Sequence, residues 1–362
     1  MTTDQLSVGV IGVGFGATVH VPAFLSEGWR VPAVSSRREE RAREAAAKLG
    51  IEDVHTDWRE LVARPDIDAV AITTPPAAHR EIAVAAVEAG KHVLCEKPFA
   101  LSAAEAAAMR DAAATHGRTA MIAHEFRFAP QRSQIADLLA EGAIGAPELA
   151  TVELLMGRPR GDTPAPMAWG AQASQGGGLL GALGSHFIDG LRHWFGDVEE
   201  VSARLVTRVP DRLDRESGSV VQADTDDTFA LTLRFANGVV ANMTASSMVA
   251  PGLGGRIVVT GSEGVLTATQ RGPNPEPDGV VLLGKAGDRG LTELEMPERY
   301  RPIEDDRDHR LGAFRLLVRE FERGIREGTS PAPSFEDGLA CQQILDAARE
   351  SSSTGRVVRI GS

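Results

Sequence analysis

The stretch LSVGVIGVGFGATVH, residues 6–20, decides the fold. Its first half is an apolar run, which predicts a buried β-strand. Three alternate glycines follow and predict a tight turn that opens a helix, in the pattern Gly-x-Gly-x-x-Ala. In this context the backbone amides and the helix N-terminus can hold a pyrophosphate, which predicts dinucleotide binding. The residues expected to contact the dinucleotide here are Gly12, Gly14, Phe15, Gly16 and Ala17.

The alternation of strand and helix continues through the first third of the chain. Apolar runs such as DAVAITT and KHVLCEKP alternate with helical segments such as REERAREAAAKLG. Gly50 is placed to end one helix, and Ser102 with Glu105 has the spacing of a capping box. Strands that are apolar throughout predict a parallel sheet covered on both faces. We therefore predict that residues 1–124 form a Rossmann dinucleotide-binding domain in an α/β protein.

The pattern changes after about residue 125. Segments such as DDTFALTLRFANGVVANMTASS alternate between apolar and polar residues, and Asn237-Gly238 predicts a hairpin with a type I′ turn. Residues 125–362 are thus expected to form an α+β domain on a large, mostly antiparallel sheet, for substrate binding and oligomerisation. Two late helices and the short strand RVVRI complete this predicted domain.

Length and composition limit the classes of function. A chain of 362 residues with 43% hydrophobic content favours two domains. The 38 basic and 50 acidic residues give a net charge of -12, without a basic cluster for nucleic acid or an anionic membrane. Cys95 and Cys341 lack metal-type spacing, and no apolar run is long enough for a membrane span or a signal peptide. We therefore expect a cytoplasmic protein without a metal site, nucleic-acid partner or membrane partner.

The end of the second strand predicts which dinucleotide is preferred. A carboxylate there would bond the ribose 2′-hydroxyl of NAD, whereas this chain has Ser36 and Arg37, which suit a 2′-phosphate. This favours NADP, with NAD possible. The alternative is that the arginines only solvate the start of the next helix.

Further candidates follow the fourth and fifth strands, whose carboxyl ends form the ligand edge of such a sheet. After the fifth strand come Glu96 and Lys97, and the restricted bond to Pro98 can direct the lysine into the cofactor crevice. The alternative is a solvated surface lysine. Cys95 fits a small apolar core residue better than a nucleophile. After the fourth strand, the expected cofactor-binding residues are Thr74, Pro75, Pro76 and His79.

In the second part, GGGLLGALGSHFIDG, residues 176–190, places six glycines around one histidine. Together with the glycine turn, Thr-Pro-Pro before His79, Glu-Lys-Pro and Phe126-Arg127-Phe128, it resembles the glucose-fructose oxidoreductase, inositol dehydrogenase and rhizopine catabolism (Gfo/Idh/MocA) family of NAD(P)-dependent oxidoreductases. The resemblance covers essentially the whole chain. It implies hydride transfer between nicotinamide and a secondary alcohol or ketone carbon of a sugar, cyclitol or related polyol.

The resemblance also implies roles for individual residues. Lys97 matches the lysine that contacts the substrate hydroxyl, and His186 matches the general acid/base on that hydroxyl. Asp189, one turn further on the helix, is expected to have a hydrogen-bonding role. The glycines imply that this helix approaches nicotinamide and substrate closely. A buried, purely structural histidine is the alternative for His186.

One position departs from the family pattern. Many members have an aspartate one turn before the histidine, where this chain has Ala182. Its absence is compatible with a different substrate, with weakened catalysis, or with a replacement carboxylate such as Glu125 or Asp162. Further substrate-cleft candidates are Arg127, for which an interdomain salt bridge is the alternative, and Trp169, for which core packing is the alternative.

Two alternative functions remain at this point. A catalytically weakened dinucleotide-binding sensor or scaffold protein is favoured by Ala182. A redox-assisted hydrolase or lyase would hold its cofactor tightly. The expected assembly is a homodimer or homotetramer, in which alternate apolar residues of Phe229-Ala230-Leu231-Thr232-Leu233 pack between copies unless helices cover them.

Overall fold

The computed structural model describes residues 5–157, 164–249 and 251–361. Packing divides the chain into two units: a first unit of Met1–Glu125 and Ile303–Gln342, and a second unit of Phe126–Pro302 and Gln343–Ser362. The helices are α1 (Val21–Ser26), α2 (Glu39–Leu49), α3 (Trp58–Val62), α4 (His79–Glu88), α5 (Ala103–Thr115), α6 (Pro130–Ala140), α7 (Ser185–Phe195), α8 (Leu311–Glu327) and α9 (Phe335–Thr354).

In the described part of the chain, the strands build three sheets, of six, three and nine strands. They are β1 (Ser7–Ile11), β2 (Arg30–Ser35), β3 (Asp53–His55), β4 (Ala69–Ile72), β5 (His92–Cys95), β6 (Ala120–Ile122), β7 (Pro147–Gly157), β8 (Ala165–Pro166), β9 (Val198–Val206), β10 (Asp211–Leu213), β11 (Val220–Gln222), β12 (Thr228–Phe235), β13 (Val240–Val249), β14 (Gly254–Gly261), β15 (Gly264–Gln270), β16 (Val281–Lys285), β17 (Thr292–Leu294) and β18 (Val358–Arg359).

The first unit confirms the predicted parallel sheet. Its six strands lie in the order β3-β2-β1-β4-β5-β6, all in parallel pairs. Every residue of β1 and of β4 is buried, which requires cover on both faces. The strand order reverses between β1 and β4, and open sheets of this kind bind ligands beside the carboxyl ends at that point.

Two local predictions in this unit are also confirmed. Gly50 ends α2 in the left-handed conformation, with φ of 70°. The Ser102 hydroxyl accepts a hydrogen bond from the Glu105 amide at 3.3 Å and caps α5. Local rules of helix termination therefore operate as the sequence indicates.

Residues 303–342 return to the first unit. Within it, the ring of Phe321 on α8 stacks on Trp29, with centroids 6.0 Å apart and planes at 11°. Phe314, also on α8, lies 4.4 Å from the His20 ring. The division into domains 1–124 and 125–362 was based on the order of elements along the chain, and it stays a prediction. In the structure, α8 and the first part of α9 pack with the first unit.

The second unit is built on the nine-stranded sheet, in the order β17-β16-β15-β14-β7-β13-β12-β9-β18. Among the strand pairs that the structure describes in this sheet, only β7 and β13 are parallel, which confirms a mostly antiparallel sheet. Phe229, Leu231 and Leu233 on β12 are each at most 2% exposed in this chain. These residues are covered within one chain, as part of the core of this unit, so the condition for their packing between copies is not met.

The hairpin between β12 and β13 differs from the predicted turn. A type I′ turn needs positive φ at both central residues, but Gly238 has φ of 90° while Asn237 does not have a positive φ. The last paired residues of the two strands before the loop are Arg234 and Val240, and the Phe235 amide donates to the Val239 carbonyl. The longer loop places only Gly238 in the left-handed region, so the predicted type I′ turn is wrong.

None of the helices in the described part of the chain combines the length and apolarity needed to cross a bilayer.

Candidate active site

The glycine turn after β1 has a geometry that only glycine satisfies. Gly12 has φ of 111°, and a Cβ atom there would lie 2.5 Å from Oγ1 of Thr73. The Gly12 amide donates to the Ser35 carbonyl at 2.8 Å, and the Thr73 hydroxyl donates to the Gly12 carbonyl at 2.8 Å. The turn is therefore clamped between the ends of β2 and β4.

The next two glycines have different surroundings. A Cβ atom at Gly16 would lie 2.5 Å from Oγ1 of Thr73 and 2.9 Å from Val10, so helix and sheet pack closely there. Gly14 is exposed, and a Cβ atom there would have nothing within 4 Å. A π-helical turn, Gly16–His20, leads into α1. Open space before a helix N-terminus fits a dinucleotide pyrophosphate.

Two arginines, Arg37 and Arg38, follow Ser36 just after the end of β2. The Ser36 amide donates to the His55 carbonyl at 3.0 Å, and its hydroxyl accepts from the Arg38 amide at 3.2 Å. Arg37 is exposed. Among the residues that the structure describes, neither Arg37 nor Arg38 pairs with a carboxylate, although the neighbouring Arg43 pairs with Glu39.

His79 lies behind the cofactor edge and is fully buried. Its Nε2 is 2.8 Å from the Thr74 carbonyl, and its Nδ1 is 3.1 Å from the Phe99 carbonyl. Burial lowers the pKa of His79, so the ring is neutral and donates to one of the two carbonyls. His79 therefore holds the carbonyl of Thr74, the residue directly before Pro75 and Pro76.

Glu96 and Lys97 follow β5 and point to different environments. Glu96 is 6% exposed, lies 2.8 Å from Nε2 of His20 and accepts the Lys97 amide at 3.1 Å. Burial alone would raise the pKa of Glu96. The hydrogen bond from His20 and the positive charges of His20 and Lys97 together outweigh burial, so the pKa of Glu96 is lowered. The Lys97 side chain is half-buried. Sequence analysis did not identify the partnership of His20 with Glu96, residues 76 positions apart.

Cys95 ends β5 and is fully buried among apolar residues. Burial raises the pKa of its thiol, which keeps it protonated. The structure thus agrees with a core role for Cys95. Cys341 is also buried, and both cysteines are reduced.

In the second unit, His186 lies on α7 and is 4% exposed. The Phe126 ring lies flat against it, with centroids 3.8 Å apart and planes at 9°. Asp189, 1% exposed in its side chain, accepts two hydrogen bonds from Arg127, from Nε at 2.7 Å and from Nη2 at 2.6 Å. Arg127 therefore forms a salt bridge, which was its predicted alternative role. The salt bridge lies within the second unit rather than between domains.

The glycines before His186 pack mainly against protein. A Cβ atom at Gly177 would lie 2.5 Å from the Gly170 carbonyl, and one at Gly178 would collide with Oδ1 of Asp226. At Gly184 it would lie 3.1 Å from the Phe229 ring. Close approach to neighbouring backbone and side chains explains these three glycines without a ligand.

The remaining candidates occupy varied surroundings. Ala182 is half-buried in the π-helical turn Leu180–Gly184, directly before α7. Trp169 is 38% exposed, which argues against core packing. Glu125 is buried in the first unit, whereas Asp162 lies outside the described residues. Within residues 5–157, 164–249 and 251–361, no group of three His, Cys, Asp or Glu side chains is placed to hold a metal ion.

Comparison with known proteins matches both parts of the chain to one family. Residues 6–124 match the oxidoreductase family, NAD-binding Rossmann fold, and residues 136–360 match the C-terminal alpha/beta domain of the same family. Levoglucosan dehydrogenase of Pseudarthrobacter phenanthrenivorans is 32% identical, with 97% of each chain covered. Myo-inositol 2-dehydrogenase of Thermotoga maritima is 29% identical, with 98% of each covered.

A solved structure agrees with this assignment. Levoglucosan dehydrogenase in complex with NADH superposes with a TM-score of 0.89 at 30% identity, covering 99% of this chain and 100% of the other. The glycine turn described above fits the same class of cofactor. The chain therefore belongs to the Gfo/Idh/MocA family and is an NAD(P)-dependent dehydrogenase.

Proposed function

We propose that this protein is an NADP-preferring oxidoreductase that transfers a hydride between nicotinamide and a secondary alcohol or ketone carbon. The proposed substrate is a sugar, a cyclitol or a related polyol, and the names of the levoglucosan and inositol dehydrogenases support this class. The observation that most supports a dinucleotide reaction is the turn at Gly12 and Gly14, whose open space precedes a helix N-terminus.

The preference for NADP rests on the end of β2. Arg37 is exposed and lacks a carboxylate partner in the part of the chain that the structure describes, so its guanidinium is available for a 2′-phosphate. After β2 this chain has Ser36, whose hydroxyl accepts from the Arg38 amide, and lacks the carboxylate that would repel that phosphate. The similar levoglucosan dehydrogenase was solved with NADH, so the preference of this chain needs its own measurement.

We assign Lys97 and His186 as the catalytic residues. When bound, the dinucleotide supplies or accepts the hydride. The imidazole of His186 takes the proton from the substrate hydroxyl during oxidation and returns it during reduction. The Lys97 ammonium stabilises the negative charge that develops on the same oxygen. Within the second unit, Phe126 packs flat against the His186 ring, and the Arg127–Asp189 pair holds the helix that contains His186.

The experiment that tests the cofactor preference is isothermal titration with NADP and NAD, each in both redox states. We expect NADP to bind more than about tenfold tighter, equivalent to about 1.4 kcal/mol, and Ser36→Asp/Arg37→Ala to abolish the difference. Arg43→Ala is the matched control, because it removes an exposed arginine already paired with Glu39. Equal affinities in the wild type contradict the NADP preference, and absence of binding contradicts the whole proposal.

The proposed chemistry is tested with a panel of polyols, ketoses and cyclitols. Turnover that is abolished by Lys97→Met and by His186→Leu supports the dehydrogenase. Ala182 favours a second candidate, a dinucleotide-binding sensor or scaffold, which would bind cofactor without turnover of any substrate in the panel. A redox-assisted hydrolase or lyase would retain its cofactor through purification and release product without net change in cofactor redox state.

We also propose a homodimer or homotetramer. The face of the nine-stranded sheet opposite the core exposes small residues such as Ala230, Asn242 and Thr244, which would permit close contact with a second copy. Light scattering after gel filtration checks this directly. A monomer at micromolar concentration would contradict it.

A further inference from the structure

Glu125 leaves the sheet of the first unit beside Glu96 and Lys97. Strands β5 and β6 are parallel, with Cys95 opposite Ile122, and the Ala123 amide donates to the Cys95 carbonyl at 2.8 Å. The segments that follow both strands therefore emerge at the same, carboxyl edge of the sheet. Glu125 is only 3% exposed there, so its carboxyl is removed from solvent.

The groups around Glu125 form a charged cluster in which Glu96 is buried and Lys97 and Arg310 are half-buried. The charges that act on its carboxyl are those of Glu96, Lys97 and Arg310. Glu96 is itself held by His20 at 2.8 Å. Arg310 pairs with Asp308, with Nε 2.9 Å from Oδ1, and its guanidinium lies 5.1 Å from the centre of the Phe15 ring in the glycine turn. The cluster thus extends from the proposed catalytic lysine to the proposed cofactor turn.

Two buried carboxyl groups in one cluster do not readily ionise together. Burial, and then the negative charge of Glu96, raise the pKa of Glu125 to about 8. At neutral pH Glu96 therefore has the negative charge and Glu125 is a neutral acid that can donate a hydrogen bond. Strongly perturbed groups of this kind concentrate at functional sites, because their burial otherwise only costs stability.

We propose that Glu125 is a positioning residue for Lys97: together with Glu96, its buried carboxyl fixes the ammonium where the substrate hydroxyl is bound. This inference rests on the catalytic role proposed for Lys97. The proposal gives the lysine a carboxyl partner in the first unit. The position before His186 that many family members fill with an aspartate is Ala182 in this chain. Glu125 forms and breaks no bond in the reaction, since the hydroxyl proton moves to His186.

Ionisation of Glu125 changes the restraint on the lysine. A neutral Glu125 leaves the ammonium shared between Glu96 and the substrate, whereas an ionised Glu125 would draw it into an ion pair behind the site. Besides Glu96 and Lys97, the charged and titratable groups in this region are His20, Asp308 and Arg310. The activity of the wild type should therefore show an inflection near the pH at which Glu125 ionises.

The test compares Glu125→Gln and Glu125→Ala with the wild-type protein and with Glu88→Gln, an exposed glutamate on α4. We measure kcat and KM for a polyol that the wild type turns over, from about pH 6 to about pH 10, and NADP affinity by calorimetry. At about pH 7 we expect Glu125→Gln to retain kcat within about threefold, and Glu125→Ala to lose about tenfold in kcat with unchanged NADP affinity. Glu125→Gln should also lack the alkaline inflection.

The inference is overturned if Glu125→Ala has wild-type kcat, or if Glu125→Gln keeps the same inflection. Should Glu125→Ala fail to fold by circular dichroism, the pH profile of Glu125→Gln decides alone. Failure of the proposed function gives a different result, because then the wild type itself turns over no polyol or Lys97→Met leaves turnover unchanged.

Discussion

The Phe126 ring covers one face of the His186 imidazole, with ring centroids 3.8 Å apart and planes only 9° from parallel. Both side chains are buried, at 6% and 4% exposure. A stacked aromatic neighbour restricts rotation of the imidazole about its side-chain bonds, and such ring pairs contribute about 0.5–1.5 kcal/mol beyond their buried area. The stack therefore fixes the plane in which the proposed base acts.

Replacement of this ring should impair turnover more than binding. For Phe126→Leu we expect kcat to fall by up to about tenfold, which corresponds to loss of a contact of about 1.4 kcal/mol. Dinucleotide affinity should stay unchanged. The measurement is steady-state kinetics with the best polyol of the panel. A matched control is Phe195→Leu, on the same helix, whose ring packs against Trp194 and Phe235.

The Arg127–Asp189 pair should contribute to stability through desolvation. Both side chains are at most 7% exposed, so removal of one partner leaves an uncompensated buried charge. We expect Arg127→Met to lower the free energy of unfolding by about 3–5 kcal/mol, measured by urea denaturation. The double variant Arg127→Met/Asp189→Leu should recover much of the loss, because it leaves no buried charge. A double variant as unstable as the sum of both single changes would contradict this account.

Asp226 anchors the helical segment that leads to His186. Its carboxylate accepts the Leu180 amide at 2.8 Å, and its carbonyl accepts the Leu179 amide at 2.9 Å. Asp226→Ala removes the side-chain acceptor at the start of this helix and should cost about 0.5–2 kcal/mol of stability. Asp226→Asn keeps an acceptor and should cost less. Thermal unfolding of both variants measures the difference, and equal losses would show that the hydrogen bond is not the cause.

Sequence patterns predicted the features that depend on neighbours along the chain. The Gly50 helix end and the Ser102 cap are local, because their hydrogen bonds involve residues a few positions apart, and the glycine turn is marked by the glycines themselves although Ser35 and Thr73 hold it from a distance. They were confirmed in the structure. The wrong hairpin turn at Asn237 arose because a dipeptide does not reveal how many residues the loop contains.

Features that depend on distant partners were not visible in the sequence. Strand β7 was not predicted, although it lies at the centre of its sheet, because its partner β13 comes about ninety residues later. The buried pairs His20–Glu96 and Arg127–Asp189 join residues 76 and 62 positions apart. The return of α8 to the first unit depends on aromatic contacts such as Trp29 with Phe321. The family resemblance named candidate residues, but the contacts that orient them required the fold.

Glu125 should make stability depend on pH with a definite sign. Its folded-state pKa is raised to about 8, first by burial and then by Glu96, whereas an unfolded glutamate has a pKa of about 4.3. Between these values the native state binds a proton that the unfolded state has lost, so the free energy of unfolding falls as pH rises, by up to about 1.4 kcal/mol per pH unit. Above about pH 8 this contribution is fully lost.

Glu125→Gln removes this titration while keeping a neutral side chain of similar shape. We therefore expect the variant to match the wild type below about pH 4, where the glutamate is protonated in both states, and to become progressively more stable than it up to about pH 8. Urea unfolding at several pH values measures the difference, and Glu88→Gln, exposed on α4, controls for the general effect of removing a carboxylate. If the two curves stay parallel from pH 5 to 8, Glu125 titrates normally in the native state and its carboxyl is ionised beside Glu96.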